Sequence, residues 1–589
     1  MAAERVAARA ARKAPAAALP SWFRPALLAL AAILLVGWFS PEISDSDFWW
    51  HLATGKYIAE HRALPVPDPF AYTTARAGTA YLGEERTRYF NLTHEWLAQA
   101  LFYSIYRLAG FGGIVMFRAV ALAAFCAVVG LVSWRRCGGF YRAVLAAFAS
   151  GAVVASGFTT DRPFLLTFLF LALTVAILES RRWMWALPPL FLLWANCHGG
   201  YFLGWMVLGA HVVEAGLPFR VAPPLSFRAA TLSSFRAAIV RERSLLIPGT
   251  VAFLASCLNP NGFRIAQILF FYRSSFMQSK LLEWAPPALW PPTAFILLLF
   301  GAAATMLWGW RRVRLADWLL FAAFAAAALA AQRNTILIGF MAPILIATYL
   351  PWKPLAHWAA AALVVGVLIS GIARGRFFEL RAADWKYPSG AADFLLAHEI
   401  TQPMFNTYEY GGYLTWRLWP QQRVFIDGRA LSEAVFIDYA RILYNHEANG
   451  GKSAQELLDQ YGVQVIVMNG FEYVNGVTYL LAPALADPQQ TIWKLVYSEP
   501  EAMVFMRQPP AGVQPLNSLR VLDNLEAECG LHLQSEPQYP RCARALGQVF
   551  AKIGDPARER RWIGIYLTHH HAPDPEAEQT YRQLLSSGY

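Results

Sequence analysis

"ALLALAAILLVGWFS", Ala26–Ser40, is an unbroken apolar run, and "SDSDFWWHLATG", Ser44–Gly55, follows almost at once. A run of this kind is a first membrane span, since about 20 apolar residues cross about 30 Å of hydrocarbon. Trp49 and Trp50 suit the interface beyond it, where aromatic residues collect. Asp45 and Asp47 do not, because acids give a chain no anchorage there. The fold therefore reads as membrane-embedded, with carboxylates placed at its surface for another purpose.

The whole chain agrees. Of its 589 residues 56% are hydrophobic and only 15% charged, too apolar for an ordinary soluble protein. Apolar runs recur near 23–40, 113–134, 143–158, 163–179, 184–200, 201–217, 244–258, 291–310, 317–332, 335–350 and 355–373. They predict a polytopic α-helical membrane domain over 23–373 with about eleven transmembrane helices, behind a cytoplasmic tail, 1–22. The net charge of +11 reads as topology and not as nucleic-acid binding. Lys and Arg concentrate in the tail and the turns near 135–142, 180–183, 218–244, 311–314 and 351–354. The opposite turns carry Arg162, Arg264, Arg273, Lys280 and Arg333. By the positive-inside rule the tail is inside, and the first long loop, 41–112, and everything after about 374 are outside. No small-residue cleavage site follows the first run, so that span is expected to stay.

After the last span the pattern changes. "PMFN", "RVFI", "VQVIVM", "WKLVYS" and "AMVFMR" predict short strands between helical stretches, a small extracytoplasmic α/β domain over 380–510. From 515 to 589 the chain reads as helical, and "ALGQVFAKIGDPARERRWIGIYL" suggests one tetratricopeptide-like pair. Among six cysteines only Cys529 and Cys542 lie in a polar region of the predicted oxidising side, so a disulfide is expected between them.

This orientation gathers the polar chemistry on one face. An Asp-x-Asp pair, Asp45 and Asp47, can hold a divalent cation such as Mg2+ or Mn2+, or one carboxylate can take a proton from an attacking hydroxyl. A helix N-cap or solvated loop edge is the plainer alternative. "NLTHEWLAQALF" puts His94 and Glu95 at a helix start, and His51 lies one turn beyond Asp47. Asp161 and Arg162 occupy the turn "TTDRP", where they can pair with each other. Arg118 sits inside the second span, where arginine needs a partner, a wet cavity or a route to the interface. With Arg333 it can hold a phosphate. His198, in "WANCHGGYF", and Glu283, in "KLLEWAPP", face the same side. In the α/β domain Tyr408, Tyr410 and Trp416 surround a glycine pair, ahead of Asp427-Gly428-Arg429. The His569–His571 run reads as a solvated helix end.

Taken together, "DSDFWWHLATGKYI", "DPFAYTT", "HEWLAQ", "LWANCHGGYF", "AAQRN" and "YEYGGYLTWRLWPQQRVFIDGR" resemble the GT-C superfamily of membrane glycosyltransferases over about 25–510. That superfamily includes protein O-mannosyltransferases, the lipid A aminoarabinose transferase and the oligosaccharyltransferase catalytic subunit. The stretches look most like a bacterial GT-C-like group.

The resemblance implies a multi-pass protein of the bacterial inner membrane with a periplasmic C-terminal domain. It implies a polyprenyl-phosphate sugar donor and an extracytoplasmic acceptor, whether protein, lipid or polysaccharide. Asp47, Asp45 and Glu95 would then be catalytic, with Asp45 and Asp47 also the metal ligands if a cation is used. Arg118, Arg162 and Arg333 would hold the donor phosphate. His51, His94, Asp161, His198 and Glu283 would line the substrate site, with Tyr408, Tyr410 and Trp416 presenting an acceptor surface. The chain departs from the mannosyltransferase Asp-Glu pair, having Asp-Ser-Asp, and has "YEYGG" where oligosaccharyltransferases have Trp-Trp-Asp-Tyr-Gly. A non-catalytic assembly protein and a transporter are the competing classes. No inverted repeat supports the second.

Overall fold

The computed structural model describes residues 20–76, 78–216, 243–272, 275–277, 281–351, 356–375, 377–429, 431–445, 451–472, 477–570 and 572–589. The tail before residue 20, most of the turn 218–244, Arg273, Lys280 and His571 lie outside the described residues.

Each of the eleven apolar stretches carries a helix. In chain order these are α1 Phe23–Trp38, then, after the first loop, α4 Trp96–Cys137, α5 Phe140–Ala155, α6 Phe164–Ser180, α7 Leu187–Cys197, α8 Phe202–Gly216 and α9 Arg243–Ala255. After a short α10, Ile265–Tyr272, come α11 Ala294–Trp308, α12 Leu315–Ala330, α13 Ile336–Tyr349 and α14 Ala356–Arg374. By length and composition, one helical run, Glu84–Cys137, is long and apolar enough to cross a membrane. The others are shorter: at 1.5 Å per residue a 16-residue helix such as α1 reaches about 24 Å.

At one end of the bundle, charged side chains interlock. Arg136, at the end of α4, bonds Asp317 of α12 at 3.0 Å and Glu179 of α6 at 2.6 Å. Arg314 joins Glu179 at 2.8 Å and Glu214 of α8 at 3.0 Å, and Tyr349 of α13 donates to Asp317 at 2.6 Å. The acids Glu179, Glu214 and Asp317 are absent from the sequence reading, although Glu179 and Glu214 lie near the close of apolar runs and Asp317 opens one.

The first loop folds as two helices, α2 Asp47–His61 and α3 Glu84–Thr93, and is stitched to the C-terminal domain. Ala71 pairs in parallel with Val424, and Ile43 with Ala382. Thr73 Oγ1 donates to the Phe425 carbonyl at 2.5 Å, and Arg88 Nε to that of Leu431 at 2.8 Å. "RVFI" is therefore not a strand of the domain's sheet: its extended backbone is taken by the first loop, a partner sequence pattern does not reveal.

The sheet itself runs β1 Met404–Asn406, β2 Val465–Met468, β6 Ala502–Met506, β5 Lys494–Glu499, with only β1 and β2 parallel; β3 Phe471–Glu472 and β4 Val477–Thr478 form a separate hairpin. The tail is helical as expected: its described residues hold the helices Arg520–Ser535, Arg541–Ile553, Pro556–His569 and Pro575–Ser586, the middle two spanning the stretch read as a helix pair. Cys529 and Cys542 are disulfide-bonded across the first two, as expected.

Candidate active site

The helix α2 begins at the first acids. Asp45 Oδ1 accepts the backbone N–H of Asp47 at 3.0 Å, which turns the chain into the helix. Of the glycine pair of "YEYGG", Gly412 meets this turn and Gly411 the backbone of Ile426 and Asp427. That stretch forms a helix, Tyr408–Leu418, that packs on α2 so closely that a Cβ on Gly412 would stand 2.8 Å from the Ser46 carbonyl oxygen. The adjoining turn Asp427-Gly428-Arg429 is locked by Arg429, which is buried between Asp427 at 2.6 Å and Asp68 of the first loop at 2.7 Å. Backbone pairing, one buried arginine and two glycines thus deliver Gly428 to Asp47.

A cavity of about 780 Å3 opens at this junction. Its polar end carries Asp47, His51, His94, Glu95, Arg162, His198, Glu283, Arg333 and Arg429. Deeper along the helices it becomes apolar, with Phe168 of α6, Leu203 and Met206 of α8, Phe295 of α11 and Phe324 of α12. The cavity lies at the end of α6, α8, α12 and α13 opposite the charged interlock.

Arg162 stands between the first acids. Its Nε bonds Asp45 Oδ2 at 2.6 Å and its Nη1 Asp47 Oδ2 at 2.8 Å. Glu283 follows at 3.6 Å and in turn bonds Arg333 at 3.0 Å, whose guanidinium lies 4.5 Å from the Trp284 ring centre. The two acids differ. Burial raises the Asp45 carboxyl, but the charge and hydrogen bond of Arg162 outweigh it and hold the group below its ordinary value. For Asp47 burial wins over Arg162, with help from the charges of Asp45 and Glu283, and the carboxyl is pushed up to about 7. Burial also drives His51 down to about 4, leaving it neutral. Only Asp47 of the pair lines the cavity.

Several expected residues lie elsewhere. Arg118 and Asp161 are each 1% exposed and bond one another at 2.5 Å behind the cavity. Arg118 also donates to the carbonyls of Phe39 and Pro41, so it fastens the end of α1, and it does not line the cavity. Asp161 and Arg162 do not pair with each other; each crosses to a different element. Tyr410 is buried and donates to the Glu501 carbonyl, Trp416 packs against Tyr106 and Lys56, and Tyr408 donates to the Gly428 carbonyl at 3.1 Å. These aromatics pack the helix and its turn, and none of the three lines the cavity. Asp427-Gly428-Arg429 reads from sequence equally as a ligand-binding strand end and as a turn holding a buried Asp–Arg pair; the structure has the buried pair, and Gly428 and Arg429 also line the cavity.

A six-coordinate Mg2+ or Mn2+ fits the Asp45–Asp47 pair poorly. Carboxylate oxygens suit such a cation, but both acids already share the Arg162 guanidinium, and the nearby Asp161 is committed to Arg118.

No family model and no curated protein matches the chain. Among solved structures, it is similar to the oligosaccharyltransferase of Archaeoglobus fulgidus, crystallised tethered to an acceptor peptide containing the NVT sequon. The similarity covers 84% of this chain and 75% of that one, at 12% identity and a TM-score of 0.49. No residue's role is carried from it to this chain.

Proposed function

We propose that this chain is an integral membrane glycosyltransferase of the GT-C type, moving a sugar from a polyprenyl-phosphate donor to an extracytoplasmic acceptor. The observation that supports it is the cavity: a polar end where the Asp47 carboxyl stands with the Arg162 and Arg333 guanidinium groups among its charged residues, continuous with an apolar wall between helices. An amphiphile with an anionic head fits that gradient. In this reading eleven helices cross a bacterial inner membrane and the C-terminal domain is periplasmic, as the distribution of Lys and Arg favours.

The chemistry follows from the groups present. Arg162 and Arg333 take the donor phosphate, whose leaving oxygen gains negative charge as the glycosidic bond breaks. The acceptor hydroxyl attacks the anomeric carbon from the opposite side, and Asp47 accepts its proton. A phosphate drawing on Arg162 competes with Asp47 for the same guanidinium. Donor binding therefore makes Asp47 a stronger base when it is needed.

The test uses proteoliposomes holding the full chain and a panel of labelled polyprenyl-phosphate sugars. Release of polyprenyl phosphate with label on an acceptor should require the protein, and Asp47→Asn should lower it at least about 100-fold. A panel left untouched by folded wild type, or full activity in Asp47→Asn, sinks the proposal.

A further inference from the structure

A second cluster in the cavity is unused by that chemistry. Glu95 stands at the junction of α3 and α4, with His94 Nε2 at 3.3 Å and His198 Nε2 at 3.6 Å from the same carboxylate oxygen. The three candidate donor atoms lie within 4.8 Å of one another, and all three residues line the cavity. Zinc bound by nitrogen at 2.0–2.1 Å and oxygen at about 2.0 Å in a tetrahedron separates its ligands by about 3.3 Å. The two measured separations match such edges.

The surroundings favour a metal as well. A ligating imidazole usually gives its other N–H to a carbonyl or carboxylate, which leaves the metal-facing nitrogen bare. His94 does this: Nδ1 lies 2.8 Å from the Phe90 carbonyl, which can only accept. Its Nε2 lone pair then faces a carboxylate oxygen, two acceptors opposed, until a cation or a proton comes between them. His198 Nδ1 lies 2.8 Å from Thr167 Oγ1, which can accept its hydrogen, and 3.0 Å from Gly200 N, which donates to it when that hydrogen is absent. Binding through His198 Nε2 thus moves the ring hydrogen to Nδ1 and displaces the Gly200 contact.

We propose that His94, Glu95 and His198 bind one divalent transition metal of the zinc class, with its remaining coordination position open to the cavity. Two imidazoles and one carboxylate are a known set for catalytic zinc and a poor one for Mg2+, which prefers oxygen and keeps its water. The open position takes water or an oxygen of a bound ligand. The proposal is independent of the glycosyl-transfer reading.

The test takes the full chain in detergent, stripped with chelator, and adds Zn2+ alone. One equivalent should bind and raise the melting temperature. Co2+ in its place should show the intense visible bands of four-coordinate nitrogen and oxygen ligation. A variant with alanine at His569, His570 and His571 should behave as wild type, which sets aside the histidine run of the tail. Glu95→Gln should weaken Zn2+ by more than about 100-fold, the most that losing a supporting hydrogen bond costs. Should Glu95→Gln not fold, His94→Gln and His198→Gln carry the same comparison. Wild type that binds no stoichiometric Zn2+, or binding that survives all three substitutions, overturns the site and leaves a proton between His94 and Glu95.

Discussion

Gly428 presses on Asp47: a Cβ built on the glycine would come 1.8 Å from the Asp47 Oδ1. The C-terminal domain thus reaches across the chain to close one side of the carboxyl, and only the absence of a side chain allows it. Gly428→Ala must push back either the turn or the acid. Overpacking of this kind costs about 1–3 kcal/mol, and transfer should fall at least about 10-fold. Melting temperature and labelled-sugar transfer check the two effects separately; a variant unchanged in both would mean that the contact is slack.

The two acids should separate by pH. With Asp47 near 7 and Asp45 below its ordinary value, kcat/KM should fall on the acid side with a midpoint near the Asp47 value, as the base takes up a proton. Arg162→Gln removes a charge that lowers Asp47, so the acid limb should move to higher pH while activity drops. Stability runs the other way. The folded chain holds the Asp47 proton more tightly than the unfolded one, so this group's contribution declines as pH rises from about 4 through 7. A flat profile from about pH 5 to 8 would exclude Asp47 as the base.

Arg118 and Asp161 should matter for stability before catalysis. Breaking a buried ion pair leaves the other charge unpaired, which costs about 3–5 kcal/mol. Arg118→Met should therefore lower the melting temperature sharply, and Arg118→Met with Asp161→Leu should recover part of the loss. If the single variant melts as wild type yet binds donor less well, Arg118 holds phosphate after all.

The disulfide should govern the tail alone. Cys529 and Cys542 are 13 positions apart and both buried, and closing a loop of that size is worth about 3 kcal/mol. Cys529→Ser with Cys542→Ser should make the segment after 515 sensitive to protease while melting of the helical bundle stays unchanged. Equal protease resistance would show that the four helices hold without it.

Helix positions were legible because apolar runs leave the chain little else to form, and the strands around 404, 465, 494 and 502 were legible from short β-rich runs between turns. What failed was partnership. An arginine inside a span announces that it needs a partner, yet nothing local pairs Arg118 with Asp161, 43 positions away, while the adjacent Arg162 offers itself more obviously. The aromatics around Gly411 suggest a binding surface from composition; the structure places them outside the cavity. Of the glycines between them, Gly412 is required by the packing on α2 and Gly411 by the approach of Ile426 and Asp427. That Asp47 lines the cavity and Asp45 does not is a matter of three dimensions that no local pattern carries.

The ionic interlock of Arg136, Glu179, Arg314 and Asp317 constrains where the bundle can breathe. Helices α4, α6, α8, α12 and α13 are riveted at that end, and α6, α8, α12 and α13 line the cavity at the other. Like the staves of a fan they can part only away from the rivet, so a bulky guest is admitted by splaying at the mouth while the far end stays sealed.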